Sequence, residues 1–429
     1  MDGACHKKTR LIVLTDISSL KSGYREPDDT QSLIRLLVYS NHFNIEGLIA
    51  TCFDMGEGAV KTEYLETIVK LYGKVRLNLL QHSRDYPEEE QLLQCIKAGS
   101  PYFGLDRVGE GMDTQGSDWI IKIVDKPDPQ PVWIIVWGAP TDLAQALWRV
   151  KTERSEAGFK AFSSKIRVYA ISDQYDGTGP WIKEHCPDVF YITAYMSFRG
   201  IYKDGDQSLV SSKWVNNHII NGHGPLGQAY PDYDGGDPWG RVAGIKEGDT
   251  PSLLYLIPTG LNCPEHPDWG SWGGRFEGKE NRYFDAKDEV VGVIDEKAAV
   301  YRWRGEYQRS FQARMDWCTK CFSEANHEPV AVIEGPDRII AHPGETLTLS
   351  AGNSYDPDGN QLFFQWWIYK EAGSYEGKVR LEGETAQRVA LLIPGTKESG
   401  SIHLILSLTD NGEPALTSYR RIIIEVAGY

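Results

Sequence analysis

The 429-residue sequence has no apolar run long enough to span a bilayer and no Asn-x-Ser/Thr acceptor for N-glycosylation. It is also short of positive charge. Forty-five Lys and Arg stand against 60 Asp and Glu, a formal balance of −15. That surplus argues against nucleic acid or an anionic membrane as a partner and suits neutral or cationic ligands. The seven cysteines cannot all pair within the chain. Their one close pair, Cys318 and Cys321, has no second half at zinc-ligand spacing. Residues 1–8 hold no signal-peptide core. Together these leave the compartment open, with the cytoplasm favoured and secretion the alternative if a leader precedes the sequence. No internal repeat or low-complexity tract is evident.

What is present is an ordinary globular composition, 41% apolar and 24% charged, in a chain too long for one core. Thirteen Trp and 22 Tyr can serve as core, or as faces on Gly-rich loops against which sugar rings stack. From residue 10 to about 200, apolar strands (11–14, 45–51, 132–137, 166–171) alternate with helical patterns (32–38, 64–72, 87–98, 143–150). A further apolar segment, 75–80, follows the second helix. The alternation predicts an α/β domain with an open, mostly parallel sheet covered by helices on both faces. Residues 200–290 are rich in Gly, Pro, Asp and Trp with little periodicity, and read as loops walling one side of a pocket. Near residue 326 the pattern changes to short alternating strands split by turns such as Asp356-Pro357-Asp358-Gly359. This predicts a small all-β, immunoglobulin-like sandwich. The expected division is an α/β domain over 1–326 and a sandwich over 327–429.

The chemistry gathers at the first strand-to-helix handover. Asp16 follows the first strand, and Glu26, Asp28 and Asp29 precede the first helix. In an open α/β sheet that is the carboxyl-end crevice where ligands bind. Carboxylates this close repel unless protons or a cation compensate, and hard oxygen ligands suit Ca²⁺ or Mg²⁺. The plainer alternative is helix N-capping by Asp28 or Asp29. Other strand-end loops carry Asp142, which reads better as a turn or cap, and Asp173 and Asp176, candidates for sugar contact or acid catalysis.

With those residues in view, the chain resembles the nucleoside hydrolase superfamily, and within it the cellulose-binding Sde182-like proteins, which join a nucleoside-hydrolase-like domain to a C-terminal β-sandwich. The resemblance spans essentially the whole chain. It rests on Thr15-Asp16 with Glu26-Pro27-Asp28-Asp29, Ile171-Ser172-Asp173-Gln174, Gly248-Asp249-Thr250-Pro251-Ser252, and Pro264-Glu265-His266-Pro267-Asp268-Trp269-Gly270. It implies a Ca²⁺ site, with Ca²⁺ ahead of Mg²⁺, held by Asp16, Asp29, Asp249 and the Trp137 carbonyl. It further implies that Asp28 faces a sugar hydroxyl and that Asp16 deprotonates the attacking water. Three departures matter. Leu14 stands where the family's signature opens with an acid, the spacing from Asp16 to Asp28 is expanded by residues 20–25 and their neighbours, and Gly248 stands where many relatives carry a His that can protonate the leaving base. His266 and Glu247 are possible substitutes for that His. Trp269 and Trp272 are expected on the pocket wall. The expected activity is metal-dependent hydrolysis of a glycosidic or N-glycosidic bond, with a carbohydrate or oligosaccharide favoured over a free nucleoside. The alternative is a non-catalytic cellulose- or glucan-binding protein, and the resemblance also suggests a homodimer.

Overall fold

The computed structural model describes residues 8–21, 27–53, 58–174, 177–234, 242–395 and 398–428. Six parallel strands build the centre of the larger sheet: β1 (Thr9–Thr15), β2 (Phe43–Ala50), β3 (Ile96–Ala98), β4 (Val132–Val136), β5 (Ile166–Ile171) and β6 (Phe190–Ala194). Their spatial order is 3-2-1-4-5-6, and Arg282–Asp285 and then Phe276–Lys279 extend the sheet beyond β6. The order reverses between β1 and β4, so the crevice outside their carboxyl ends is a topological switch point.

The strands are continuously apolar because both faces are covered. Leu11, Val13 and Leu48 join the core beneath α1 (Asp28–Val38) and α2 (Thr62–His82). Ile12, Leu14 and Ile49 point the other way, into a core with the helices Gln115–Val124 and Thr141–Glu153.

Two segments differ from expectation. Residues 75–80 do not form a separate unit but continue α2, which buries Leu65, Ile68, Val69, Tyr72, Val75 and Leu79 along one side. The 3.6-residue period runs unbroken through the segment, leaving Leu77 77% exposed on the far face. Residues 200–290 hold more order than loops. They include the short helix Thr250–Leu254, whose Leu253 and Leu254 enter the main core, and the hairpin that widens the sheet.

The C-terminal part is two facing sheets. Arg338–Ala341, Thr417–Val426, Gly400–Thr409 and Phe363–Ile368 form one, and Thr346–Ser350, Arg388–Leu392 and Arg380–Glu382 the other. Trp366 is fully buried between them. Its neighbour Trp367 takes the opposite face, as strand alternation requires, and packs 5.8 Å from Trp303 of the α/β part. Tyr369, Ile405 and Tyr419 from that same face belong to the main α/β core. Gly260 lies so close that a Cβ there would stand 1.9 Å from the Tyr419 carbonyl oxygen. The sandwich therefore buttresses the α/β part across a packed interface. The Asp356 turn closes on itself, with Asp356 Oδ1 accepting from the Asp358 and Asn360 N–H groups. Among the described residues no helix is long and apolar enough to cross a membrane.

Candidate metal and substrate site

At the switch point β1 ends in Thr15 and delivers Asp16, while β4 ends and delivers Trp137 and Gly138. Gly138 is required there. A Cβ at that position would stand 2.6 Å from the Asp16 Cγ, so only a bare backbone lets β4 pass the carboxylate. Asp28 and Asp29 open α1, and Asp249 immediately precedes the helix Thr250–Leu254. Side-chain oxygens of Asp28, Asp29 and Asp249 converge to within 4.8 Å of one another. The three residues are 8%, 2% and 4% exposed.

The electrostatics follow from that crowding. Burial, then the charges of Asp249, Asp16 and Asp28, push the Asp29 carboxyl well above its ordinary range. The Thr15 hydroxyl, which donates to Asp29 Oδ1, opposes the shift only in part. Lys246 approaches Asp28 Oδ2 at 4.0 Å. Among the described residues the buried Asp28 Oδ1 has no hydrogen-bond partner, and an orphaned oxygen on a carboxylate beside two others is costly in this form. The donor set is all hard oxygen and carries excess negative charge, so it fits a divalent cation of the Ca²⁺ or Mg²⁺ type.

Helix capping does not account for Asp28 and Asp29. Pro27 is the residue at the N-cap, and no side-chain cap bond is made. The dipole at the start of α1 still favours both carboxylates.

The other expected site residues divide. Asp16 lies beside the three-carboxylate group, close enough to raise the Asp29 carboxyl. The Trp137 carbonyl is at the crevice but accepts from the Gln174 amide at 2.6 Å. Asp173 sits at the end of β5, and its oxygens already take Lys183 and the hydroxyls of Tyr191 and Tyr195. Asp176 lies outside the described residues.

Four expectations fail on placement. Glu247 is wholly buried, with Oε2 2.7 Å from the charge of Arg35 and Oε1 accepting from the Tyr230 hydroxyl, so its carboxylate faces the core and not a substrate. His266 follows Glu265, whose carboxylate pairs with Arg167 at 3.0 Å on the amino end of β5. With strands rising about 3.3 Å per residue, the four residues from Arg167 to the end of β5 put that point roughly 13 Å from the carboxyl edge. His266 instead stacks on Trp269 at 4.1 Å. Trp269 meets His403 of the sandwich edge-on at 5.2 Å. Trp272 is buried and donates its indole N–H to the Tyr419 hydroxyl at 3.3 Å. His266, Trp269 and Trp272 thus belong to the interface between the two parts, not to the pocket wall.

Sequence reasoning missed Thr15, Gln31, Gln174, Lys246 and Phe198. Gln31 clamps the loop that delivers Asp249, accepting from the Lys246 and Glu247 N–H groups, both at 2.9 Å. A Cβ on Gly248 would lie 3.3 Å from Asp28 Oδ2 and 3.6 Å from the Phe198 ring, so residue 248 faces the acids. Closeness in sequence to Asp16, Asp29, Asp173 and Asp249 was the available signal for Thr15, Gln31, Gln174 and Lys246. Phe198 carried none.

A doubly wound sheet with an acidic crevice at its switch point and a β-sandwich behind it defines a nucleoside-hydrolase-like protein with an appended C-terminal domain. The chain belongs to the cellulose-binding Sde182 family. Residues 10–276 match the model of its nucleoside hydrolase-like domain. Residues 346–426 match the C-terminal domain of cellulose-binding protein Sde0182. The chain is similar to a solved structure described as a nucleoside hydrolase-related hypothetical protein from Saccharophagus degradans that is associated with carbohydrate metabolism. The two are 34% identical with a TM-score of 0.82, over 98% of this chain and 100% of that one. A search of curated proteins found no match.

Proposed function

We propose that the chain is a cation-dependent hydrolase of glycosidic bonds that acts on a carbohydrate in preference to a free nucleoside. The observation that carries this reading is the convergence of Asp28, Asp29 and Asp249 in a buried crevice, with Asp28 Oδ1 unpartnered among the described residues. Those three side chains would hold Ca²⁺. Bound there, the cation would offset their repulsion and make a water easier to deprotonate. Asp16, poised against Asp29, would take that proton. The surrounding carboxylates would then stabilise positive charge developing on the sugar ring. Gly248 carries no group that could protonate a departing base, which favours leaving groups that depart without such help.

A second reading, non-catalytic carbohydrate binding, is favoured by the same Gly248, by the ties that occupy Asp173, and by the family's cellulose-binding description. One experiment separates them. Aryl glycosides, cello-oligosaccharides and nucleosides are incubated with the protein, with and without Ca²⁺, beside an Asp16→Asn variant. Ca²⁺-dependent turnover lost in the variant supports the hydrolase. Binding of cello-oligosaccharides with no turnover of any compound overturns it in favour of the binder.

A further inference from the structure

Away from the acidic crevice, three side chains from three parts of the chain form one unbroken hydrogen-bonded line. His82 is the last residue of α2, His327 lies in the segment leading into the sandwich, and Asp358 is in the sandwich's turn. His82 Nε2 lies 2.9 Å from the Lys320 carbonyl oxygen. His82 Nδ1 lies 2.9 Å from His327 Nε2. His327 Nδ1 lies 3.0 Å from both oxygens of Asp358, and its backbone N–H donates to Asp358 Oδ2 at 2.8 Å.

Counting protons along this line gives an imbalance. A carbonyl only accepts, so His82 Nε2 must carry a hydrogen. An ionised carboxylate only accepts, so His327 Nδ1 must carry one as well. A neutral imidazole has a single N–H, so two neutral rings would then present lone pairs to each other at 2.9 Å. Three bonds need three protons, and two neutral imidazoles supply two. Moving the extra proton onto Asp358 leaves the total unchanged.

We infer that His82, His327 and Asp358 form a proton-dependent latch between the α/β part and the sandwich, closed while the two imidazoles and the carboxylate share one proton beyond their ordinary neutral-ring complement. Both rings are clamped against turning away. His82 stacks on Trp317 at 4.9 Å and 3°, and His327 stacks on Phe322 at 3.9 Å. Burial is the main cause that pushes His82 down to about 4, with the positive charge of Arg314 acting in the same sense. The shared proton is therefore held by the line as a whole and not by His82 alone. The other charges packed around the line are already matched: Arg314 to Glu328 at 3.2 Å and Lys320 to Asp316 at 2.8 Å.

The sign of the pH dependence follows. Freed imidazoles release their protons near the ordinary value of about 6.5. Above that point the closed latch keeps one proton that the unfolded chain gives up, so stability from the latch is lost as pH rises and that proton leaves. Below it, a freed His82 takes a proton that the folded ring refuses down to about 4, so stability falls on that side as well.

The test uses the full chain labelled with ¹⁵N at its histidines. At about pH 7.5, well above the ordinary histidine value, one ring should show both nitrogens protonated, and that signal should vanish in Asp358→Asn. The unfolding midpoint of the wild type should fall between about pH 7 and about pH 8.5, and the fall should flatten in His82→Phe, which keeps a ring on Trp317. Should His82→Phe not fold, the nitrogen spectra of wild type and Asp358→Asn decide alone, since Asp358 lies in an exposed turn. A wild-type spectrum without a doubly protonated ring sensitive to Asp358→Asn would overturn the inference. So would a pH slope unchanged in a folded His82→Phe variant.

Discussion

Replacing Arg35 by Met tests whether Glu247 is structural or substrate-facing. Both side chains are fully buried, with the guanidinium Nε 2.7 Å from Glu247 Oε2. Arg35 also donates to Gln308 Oε1 at 2.6 Å and lies 3.9 Å over the Phe311 ring. Arg35→Met leaves a buried carboxylate with its hydrogen bond from Tyr230 but no counter-charge. Breaking a buried pair from one side costs about 3–5 kcal/mol, and loss of the cation on the aromatic face adds up to about 2 kcal/mol. Glu247→Gln should cost about 3 kcal/mol or more, because Arg35 stays buried and charged. The double variant Arg35→Met/Glu247→Leu should lose much less than Arg35→Met alone, since an apolar pair of similar volume replaces both desolvated charges. Denaturant unfolding followed by tryptophan fluorescence reads all three. If Glu247→Gln stays within about 1 kcal/mol of wild type while losing carbohydrate affinity, Glu247 is a substrate contact and the reasoning is wrong.

Three further outcomes follow from the same geometry. Gly138→Ala should abolish Ca²⁺-dependent turnover while the sheet survives, because its Cβ would stand 2.6 Å from the Asp16 Cγ and displace the carboxylate that takes the proton; glycoside assays and circular dichroism check the two halves. The raised Asp29 carboxyl means that the metal-free folded chain holds a proton the unfolded chain gives up, so stability should fall as pH rises through the Asp29 value. Thermal scans across that range should show the fall, and saturating Ca²⁺ should remove it. His403, pushed down to about 3 mainly by burial, accepts from Arg421 at 2.7 Å and must stay neutral when folded. Its contribution should be lost as pH falls from about 6.5 towards about 3, and His403→Gln should flatten that acid limb of the scans.

The alternation of buried strand and amphipathic helix made the α/β part legible, because each strand covered on both faces reads as a continuous apolar run. The same rule placed Asp16 and Trp137 at strand ends, hence at one edge of one sheet. The sandwich was legible from alternation and turns, and Trp366 and Trp367 fell on opposite faces as period two demands. Local pattern failed where long-range packing decides. Residues 75–80 carry enough β-branched and aliphatic residues to look separate, but the unbroken helical period keeps them in α2. His266 and Trp269 belong to a motif-like, aromatic stretch, yet Arg167 and the sandwich hold that stretch at the amino edge of the sheet. Glu247 stands two residues from Asp249 but points into the core, because Arg35 from α1 reaches it across more than 200 residues of sequence. Gln31 shows the converse. A glutamine in the first turn of a helix reads as a solvent-facing side chain, and only the fold reveals that it anchors the loop carrying Asp249.

The most direct measurement is calorimetric titration of Ca²⁺ into metal-stripped protein, wild type beside Asp249→Asn. Asp28, Asp29 and Asp249 converging within 4.8 Å predict a single site in the wild type. The predicted affinity loss in the variant is at least about 100-fold. No binding in the wild type, or equal binding in both proteins, would contradict the account.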